Sequence, residues 1–224
     1  MKLDLDAMAV AARGAGLVYL CNPNNPTSTV HGAAAVKAFL AKVRRESPQT
    51  YILVDEAYHE YVEDPAYATM IPEIKDKYII VSRTFSKVFG MAGLRVGYAI
   101  GRKETLARMT SWIMGSNVSQ LSLAAAVTAV ADAKHVAAEQ RRNREVRSFT
   151  RHFFANRGYE MSETQANFMM VNIRRDAKAF KTECLTHGVA VGRAFPPLNT
   201  HVRITFGTMP EMKKALQVFR TTLV

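Results

Sequence analysis

Three short apolar runs constrain the fold of this 224-residue chain. They lie at Leu17–Cys21, at residues 51–54 and at residues 77–82, and a segment with helical spacing of apolar residues (32–45) separates the first two. Apolar runs of this length are typical of buried strands, and strands that alternate with helices favour parallel pairing. With a fourth strand predicted at residues 94–100, the sequence predicts an α/β fold: a mostly parallel sheet with helices on both faces.

A polar cluster follows each of the first three predicted strands. The clusters are residues 22–27, residues 55–58 and residues 84–87. Ligands of open α/β sheets bind beyond the carboxyl ends of the strands. Because three clusters share that end, the sequence predicts the functional site there.

One lysine, Lys87, stands out within VSRTFSKVFGMAGLRVGYAI (residues 81–100). A desolvated lysine amine can attack a carbonyl as a Schiff-base nucleophile. Thr84 and Ser86 lie just before it and Arg95 lies eight residues after it. Hydroxyl groups and a guanidinium suit a phosphate monoester, so an aldehyde on a phosphorylated ring would satisfy both halves.

Asp55, Tyr58 and Asn25 are further candidates, each with a structural alternative. Asp55 ends an apolar run, so its carboxylate needs a partner: a protonated ring nitrogen, an arginine or a metal. The metal is disfavoured because Asp55 and Glu56 point to opposite sides of a continuing strand and no histidine joins them at ligand spacing. Tyr58 either donates a phenol hydrogen bond or packs as an aromatic residue, and Asn25, in a proline-rich loop, is also typical of a turn.

The second part of the chain predicts a small α+β domain. Residues 119–151 read as one long helix, and a composition shift within it places the boundary between domains 1–133 and 134–224. After it come predicted strands at 168–173, near Val189 and at 202–206. The predicted helices there cover residues 176–187 and the chain from Pro210.

Composition narrows the functional classes. The net charge is +11, and the densest basic run is Arg141, Arg142, Arg144, Arg147 and Arg151. Because no regular interleaving of aromatic residues and no nucleic-acid-binding motif accompanies them, these arginines favour a solvated helix face over nucleic-acid binding. No apolar run approaches the ~20 residues of a membrane span. The start of the chain does not resemble a signal peptide, and Cys21 and Cys184 have no metal-ligand spacing, which favours reduced thiols and a cytoplasmic protein.

Four motifs, in order and spacing, resemble pyridoxal-phosphate-dependent aminotransferases of the aspartate aminotransferase fold, and most of all the histidinol-phosphate aminotransferases. They are NPNNPT (residues 22–27), VDEAY (54–58), RTFSKVFGMAGLRVGY (83–98) and VRITFGT (202–208). The resemblance implies a homodimer and the transfer of an amino group from an amino acid or amine to a 2-oxo acid, with pyridoxal 5'-phosphate as cofactor. A decarboxylase of the same fold, and a non-catalytic remnant that binds phosphate ligands or protein partners, stay open as alternatives.

The resemblance also implies a role for each matching residue. Lys87 would form the Schiff base and move the substrate proton, and Asp55 would keep the ring nitrogen protonated. Asn25 and Tyr58 would bond the ring hydroxyl. The cofactor phosphate would be bound by Thr84, Ser86 and Arg95, and the substrate carboxylate, or its equivalent, by Arg203 with Arg193 as a second candidate.

Two departures from the family pattern are expected to matter. Ser28 stands where a glycine commonly follows NPT, a change expected to cost little. The chain also lacks counterparts of the family's N-terminal segment, with its first strands, its glycine-rich loop and the aromatic that stacks on the ring. The strands at Leu17–Cys21 and around Val96 are therefore expected to be exposed apolar edges, and a missing N-terminal segment, a second polypeptide or a dimer could cover them.

Overall fold

The computed structural model describes residues 1–113 and 118–223, and packing divides them into two units. We call Lys2–Asn24 with Val30–Ala137 the sheet unit. We call Asn25–Thr29, with Met1 and the chain from Ala138 onward, the C-terminal unit. The short segment Asn25–Thr29 thus belongs, by packing, with residues much later in the sequence.

The sheet unit contains a four-stranded sheet in the order β1-β2-β3-β4. Its strands are β1 (Leu17–Cys21), β2 (Tyr51–Asp55), β3 (Ile79–Thr84) and β4 (Gly97–Ile100). The pairs β1–β2 and β2–β3 are parallel and β3–β4 is antiparallel, which confirms the mostly parallel sheet. β4 begins later than predicted because Ala92–Leu94 form a 3-10 turn and Arg95 then adopts a left-handed conformation with φ of 52°.

One face of this sheet is a closed core. Strand alternation sends Val18 and Leu20 of β1, and Ile52 and Val54 of β2, to the same side, where all four are buried. Helices α1 (Leu5–Ala11) and α2 (Ala33–Glu46) cover them. The core-facing residues of α2 are Val36, Phe39, Leu40 and Val43, which follow helical spacing.

The opposite face is open over part of its area. Leu17 and Tyr19 of β1 remain 56% and 54% exposed. Helix α3 (Lys103–Thr110) borders a groove of about 310 Å³, which is lined by Leu17, Leu53, Ile80, Met109 and Trp112 among others. β1 and β4 form the two edges of the sheet, as expected.

The long helix predicted at residues 119–151 is two helices, α4 (Gln120–Ala131) and α5 (Ala133–Ala155). They separate at Asp132, whose ψ of 74° lies outside the helical range. Its Oδ1 accepts a hydrogen bond of 2.9 Å from the backbone N–H of His135, which caps the start of α5. No single helix within 1–113 or 118–223 is long and apolar enough to cross a membrane, and α4 and α5 meet that test only when taken together.

The C-terminal unit pairs β5 (Phe168–Asn172) with β6 (His201–Thr205) in antiparallel register. Helices α6 (Ala177–Thr186) and α7 (Met209–Thr222) join α5 around a core that contains Phe154, Phe180 and Phe219. The predicted strand near Val189 is wrong. Gly188 has φ of +74°, and the backbone bonds that follow it, from Val189 to Cys184 and from Gly192 to Arg203, form no ladder.

The basic run on α5 is only partly solvated, contrary to the sequence interpretation. Arg142 donates to the Glu139 carboxylate, and Arg151 donates to the Ser162 carbonyl at 3.1 Å. Arg147 is buried, and burial, together with the charge of Arg151, lowers the pKa of its guanidinium. Arg147 thus lies inside the C-terminal unit, whereas Arg141 and Arg144 are exposed.

A buried ion pair joins the ends of β2 and β3. The Glu56 side chain is 1% exposed, and its Oε2 accepts bonds from Nε (3.1 Å) and Nη2 (2.8 Å) of Arg83. Thr69 and the backbone N–H of Met70 satisfy the rest of the carboxylate. Burial alone would lower the pKa of Arg83, but the bond and the charge of Glu56 raise it.

We expect Arg83→Ala to lower the free energy of unfolding by about 3 kcal/mol, because it leaves the buried Glu56 charge without its cation. Arg102→Ala, which removes an arginine from an exposed pair with Glu104, should leave the unfolding midpoint unchanged. Urea unfolding followed by circular dichroism measures both. If Arg83→Ala costs as much in a Glu56→Gln background as in the wild type, the ion pair does not stabilise the fold.

Candidate active site

Asp55 lies at the carboxyl end of β2, as predicted, on the open face of the sheet. Its Oδ1 accepts bonds from the Ser82 hydroxyl at 3.1 Å and from the backbone N–H of Ala57 at 3.2 Å. Its Oδ2 accepts a bond from the Tyr19 hydroxyl, and the Cys21 thiol lies 3.8 Å away. These donors fix the orientation of the Asp55 carboxylate, which can still accept one more hydrogen.

Lys87 and Tyr58 are brought together in the sheet unit. Lys87 lies in the loop that follows β3, and its Nζ is 5.1 Å from the centre of the Tyr58 ring. Tyr58 is only 4% exposed, so it packs as an aromatic residue while its ring also faces a cation. Tyr58 therefore packs as an aromatic residue, and the hydrogen bond from its phenol stays a prediction.

The predicted phosphate ligands lie on both sides of Lys87 in the sequence. Thr84 ends β3, and its Oγ1 accepts a bond of 3.1 Å from the backbone N–H of Ser86. Arg95 is exposed, and its Nη1 donates to the Ala92 carbonyl at 2.8 Å. The Thr84–Ser86 bond gives the loop that carries Lys87 a fixed turn.

Asn25 and Arg203 form a second group, within the C-terminal unit. Nη1 of Arg203 donates to Oδ1 of Asn25 at 2.8 Å. The guanidinium lies 5.0 Å and 5.6 Å from the ring centres of Phe168 and Phe195. Nε of Arg203 is buried and has no hydrogen-bond partner within 1–113 and 118–223. A buried donor of this kind is costly unless a ligand satisfies it.

Arg193 lies over the same aromatic ring. Its guanidinium is 4.3 Å from the centre of Phe195, and the residue is otherwise exposed. Phe195 therefore contacts both candidate substrate arginines. The sequence analysis did not single out Phe195. Its position two residues after Arg193 is the sequence signal that could have identified it.

Ser28 shows why glycine suits the position after NPT. Its φ is 57°, in the left-handed region where a Cβ is unfavourable. The residue is fully buried, and its hydroxyl donates to the Thr27 carbonyl at 2.6 Å and contacts the Ser162 hydroxyl at 3.1 Å. These bonds offset the backbone strain.

We expect Ser28→Ala to lower the free energy of unfolding by about 1–3 kcal/mol, because it keeps the strain and removes the buried bonds. Ser28→Gly should cost less, since it relieves ~1 kcal/mol of left-handed strain. Urea unfolding of the two variants gives their order. A Ser28→Gly variant that is less stable than Ser28→Ala would contradict this account.

The sequence analysis did not identify Tyr19 and Ser82 as hydrogen-bond partners of Asp55. The parallel register places Cys21, Asp55 and Ser82 side by side, and alternation puts Tyr19 on the same face. A register drawn from the ends of the apolar runs could have found Ser82 and Tyr19. No group of three or more histidine, cysteine or acidic side chains within 1–113 and 118–223 could hold a metal ion.

The sheet unit provides the amine of Lys87, the oriented carboxylate of Asp55 and a loop with the hydroxyl groups of Thr84 and Ser86. The C-terminal unit provides Arg203, which is hydrogen-bonded to the side-chain amide of Asn25. Comparison with known proteins places the chain in a family. The family described as aminotransferase class I and II matches residues 1–219. The chain belongs to this family.

Individual relatives agree. Histidinol-phosphate aminotransferase of Moorella thermoacetica is 36% identical, with 98% of this chain and 57% of the relative covered. The enzyme of the same name from Symbiobacterium thermophilum is 35% identical, with 99% and 61% covered. The crystal structure of histidinol-phosphate aminotransferase from Sinorhizobium meliloti, in complex with pyridoxal-5'-phosphate, superposes with a TM-score of 0.88 at 28% identity. It covers 98% of this chain and 61% of that one.

The chain thus spans about 57–61% of the length of these relatives. The match confirms the predicted family and fold, including the likeness to histidinol-phosphate aminotransferases.

Proposed function

We propose that this chain carries the lysine-bearing and substrate-binding part of a pyridoxal-phosphate-dependent aminotransferase. The proposed reaction moves an amino group between a histidinol-phosphate-like amine or an amino acid and a 2-oxo acid. The observation that carries the proposal is the sheet edge itself: the Asp55 carboxylate is oriented by hydrogen bonds from Tyr19, Ser82 and Ala57, and Lys87 lies on the neighbouring loop. The names of the relatives supply the substrate class.

The residues present fit the cofactor. A phosphorylated pyridine aldehyde needs an amine for the aldehyde, an anion for the ring nitrogen and donors for the phosphate. Lys87 is such an amine, the Asp55 carboxylate is such an anion, and Thr84, Ser86 and Arg95 are such donors. When bound, pyridoxal phosphate supplies an electron sink for the pair of electrons left at the substrate α-carbon.

Each residue of the chain then has a defined task. Nζ of Lys87 would take the proton from the substrate α-carbon and later return it to complete the amino transfer. The Asp55 carboxylate would accept the hydrogen bond of the protonated ring nitrogen. The family resemblance assigns Tyr58 and Asn25 to the ring oxygen, and these two assignments stay predictions.

Arg203 is proposed to bind the anionic end of the substrate. Its Nε is the buried donor without a partner in the described parts of the chain, and its Nη1 is held by Asn25. The rings of Phe168 and Phe195 flank the guanidinium and limit its rotation. A carboxylate or phosphate that reaches Nε would satisfy this donor. Arg193 is the second candidate, and a homodimer and a cytoplasmic location stay predictions.

Lys87→Ala should abolish the absorbance band that pyridoxal phosphate develops on binding to the folded chain. The amine at position 87 is the group that forms the bond to the aldehyde. Lys103→Ala, at the exposed start of α3, is the matched control and should keep the band. A band that survives Lys87→Ala, or a wild-type chain that is folded and develops none, would sink cofactor binding through this lysine.

Arg203→Ala should raise the KM for histidinol phosphate by about 100-fold, because two charge-assisted bonds are worth ~3 kcal/mol. Arg220→Ala, which changes an exposed residue of α7, is the control and should leave KM unchanged. The assay is amino transfer from histidinol phosphate to a 2-oxo acid, with carbon dioxide measured in parallel from an amino acid donor. Release of carbon dioxide without amino transfer would replace this function by decarboxylation. Cofactor binding without either product would favour a non-catalytic remnant.

A further inference from the structure

Tyr19 lies on edge strand β1 and outside the four family motifs. It stands two positions before Cys21, which pairs with Asp55 in the parallel register. Alternation therefore places the side chains of Tyr19 and Asp55 on the same open face. The Tyr19 hydroxyl donates to Oδ2 of Asp55.

The two oxygens of Asp55 are held differently. Oδ1 has two donors, the Ser82 hydroxyl and the Ala57 backbone N–H. Within the described parts of the chain, Oδ2 has Tyr19 as its single oxygen or nitrogen donor, and the Cys21 thiol at 3.8 Å is a weak one. Loss of the tyrosine hydroxyl would leave Oδ2 without a strong bond, so that the carboxylate would be held mainly through Oδ1.

The hydroxyl of Tyr19 keeps its proton and can therefore donate a hydrogen bond. Burial of its hydroxyl, together with the Asp55 bond, raises the pKa of Tyr19 above its ordinary value. The ring itself remains 54% exposed, so the residue is not needed to fill the core. A large side chain with an exposed ring and a committed hydroxyl is better explained by the bond it makes than by packing.

We propose that Tyr19 is a positioning residue for Asp55: its hydroxyl fixes Oδ2, so that one acceptor direction of the carboxylate stays available for a ring nitrogen. A carboxylate offers about four acceptor sites. Tyr19, Ser82 and Ala57 occupy three of them, and the fourth meets only the weak Cys21 thiol donor at 3.8 Å. This inference rests on the proposed function, because the ring nitrogen belongs to the proposed cofactor. Strand β1 would then contribute a side chain, Tyr19, to the proposed cofactor site in addition to its pairing with β2.

The test compares Tyr19→Phe with Tyr51→Phe. Both changes remove one hydroxyl from the same sheet, but Tyr51 bonds to Arg108 at 2.8 Å rather than to Asp55. In cofactor-free protein with ¹³C-labelled aspartate carboxyls, Tyr19→Phe should shift the Asp55 signal and Tyr51→Phe should not. The signal is assigned by its loss in Asp55→Asn.

The second measurement is a titration with pyridoxal phosphate that is followed by the Lys87-dependent band. Tyr19→Phe should weaken cofactor binding about tenfold, the effect of one hydrogen bond to a charged group. The band should also change its pH profile, whereas Tyr51→Phe should match the wild type in both. Circular dichroism establishes that both variants are folded, and Ser82→Ala, which strips one donor from Oδ1, should give a similar loss.

The outcomes separate the two proposals. If the wild type binds the cofactor and Tyr19→Phe binds it equally well with an unchanged band, the positioning role is overturned and the proposed function stands. A wild type without a band overturns the proposed function and, with it, the role of Tyr19 toward the ring. An unshifted Asp55 signal in Tyr19→Phe overturns the bond itself, whether or not the cofactor binds.

Discussion

The buried Glu56–Arg83 ion pair fixes the edge of the sheet on which the candidate site depends. Glu56 directly follows Asp55, and Arg83 directly precedes Thr84. A bond between them therefore joins the end of β2, with Asp55, to the end of β3, which leads to the Lys87 loop. Because Glu56 is almost completely buried and fully hydrogen-bonded, the pair can hold this position only in one arrangement.

The same ion pair explains why two adjacent carboxylates have different fates. Asp55 points to the open face and keeps a remaining acceptor direction, while Glu56 points inward to Arg83, Thr69 and Met70. Strand alternation alone predicts that they diverge. It does not reveal that Glu56 forms a buried ion pair, since its partner Arg83 is 27 residues away in the chain.

In the C-terminal unit, two aromatic rings and one side-chain amide position the guanidinium of Arg203. Asn25 holds one nitrogen, Phe168 and Phe195 flank the guanidinium plane, and the core of Phe154, Phe180 and Phe219 supports β5 and β6. A guanidinium fixed in this way loses little further freedom when it binds an anion. The Nε atom is the one donor of Arg203 that the geometry leaves buried and unmet in the described parts of the chain.

Much of the secondary structure could be predicted because the signals are local. β1, β2 and α2 follow from apolar spacing and from the turn residues that bound them, and the motifs around Lys87 indicate the family. Errors arose where a single backbone torsion decides the outcome. Asp132 breaks a helix that composition extends, and Gly188 prevents a strand near Val189.

By itself, the sequence determined the family, the mostly parallel sheet and the edge at which Asp55, Tyr58 and Lys87 would lie, because periodicity and short motifs are written in neighbouring residues. Only the tertiary structure decided which distant side chains meet there: Tyr19 and Ser82 on Asp55, Arg83 on Glu56, and Asn25 on Arg203. The last pair is separated by 178 positions. Such contacts depend on strand register and on packing, which bring together residues whose spacing in the chain carries no local signal.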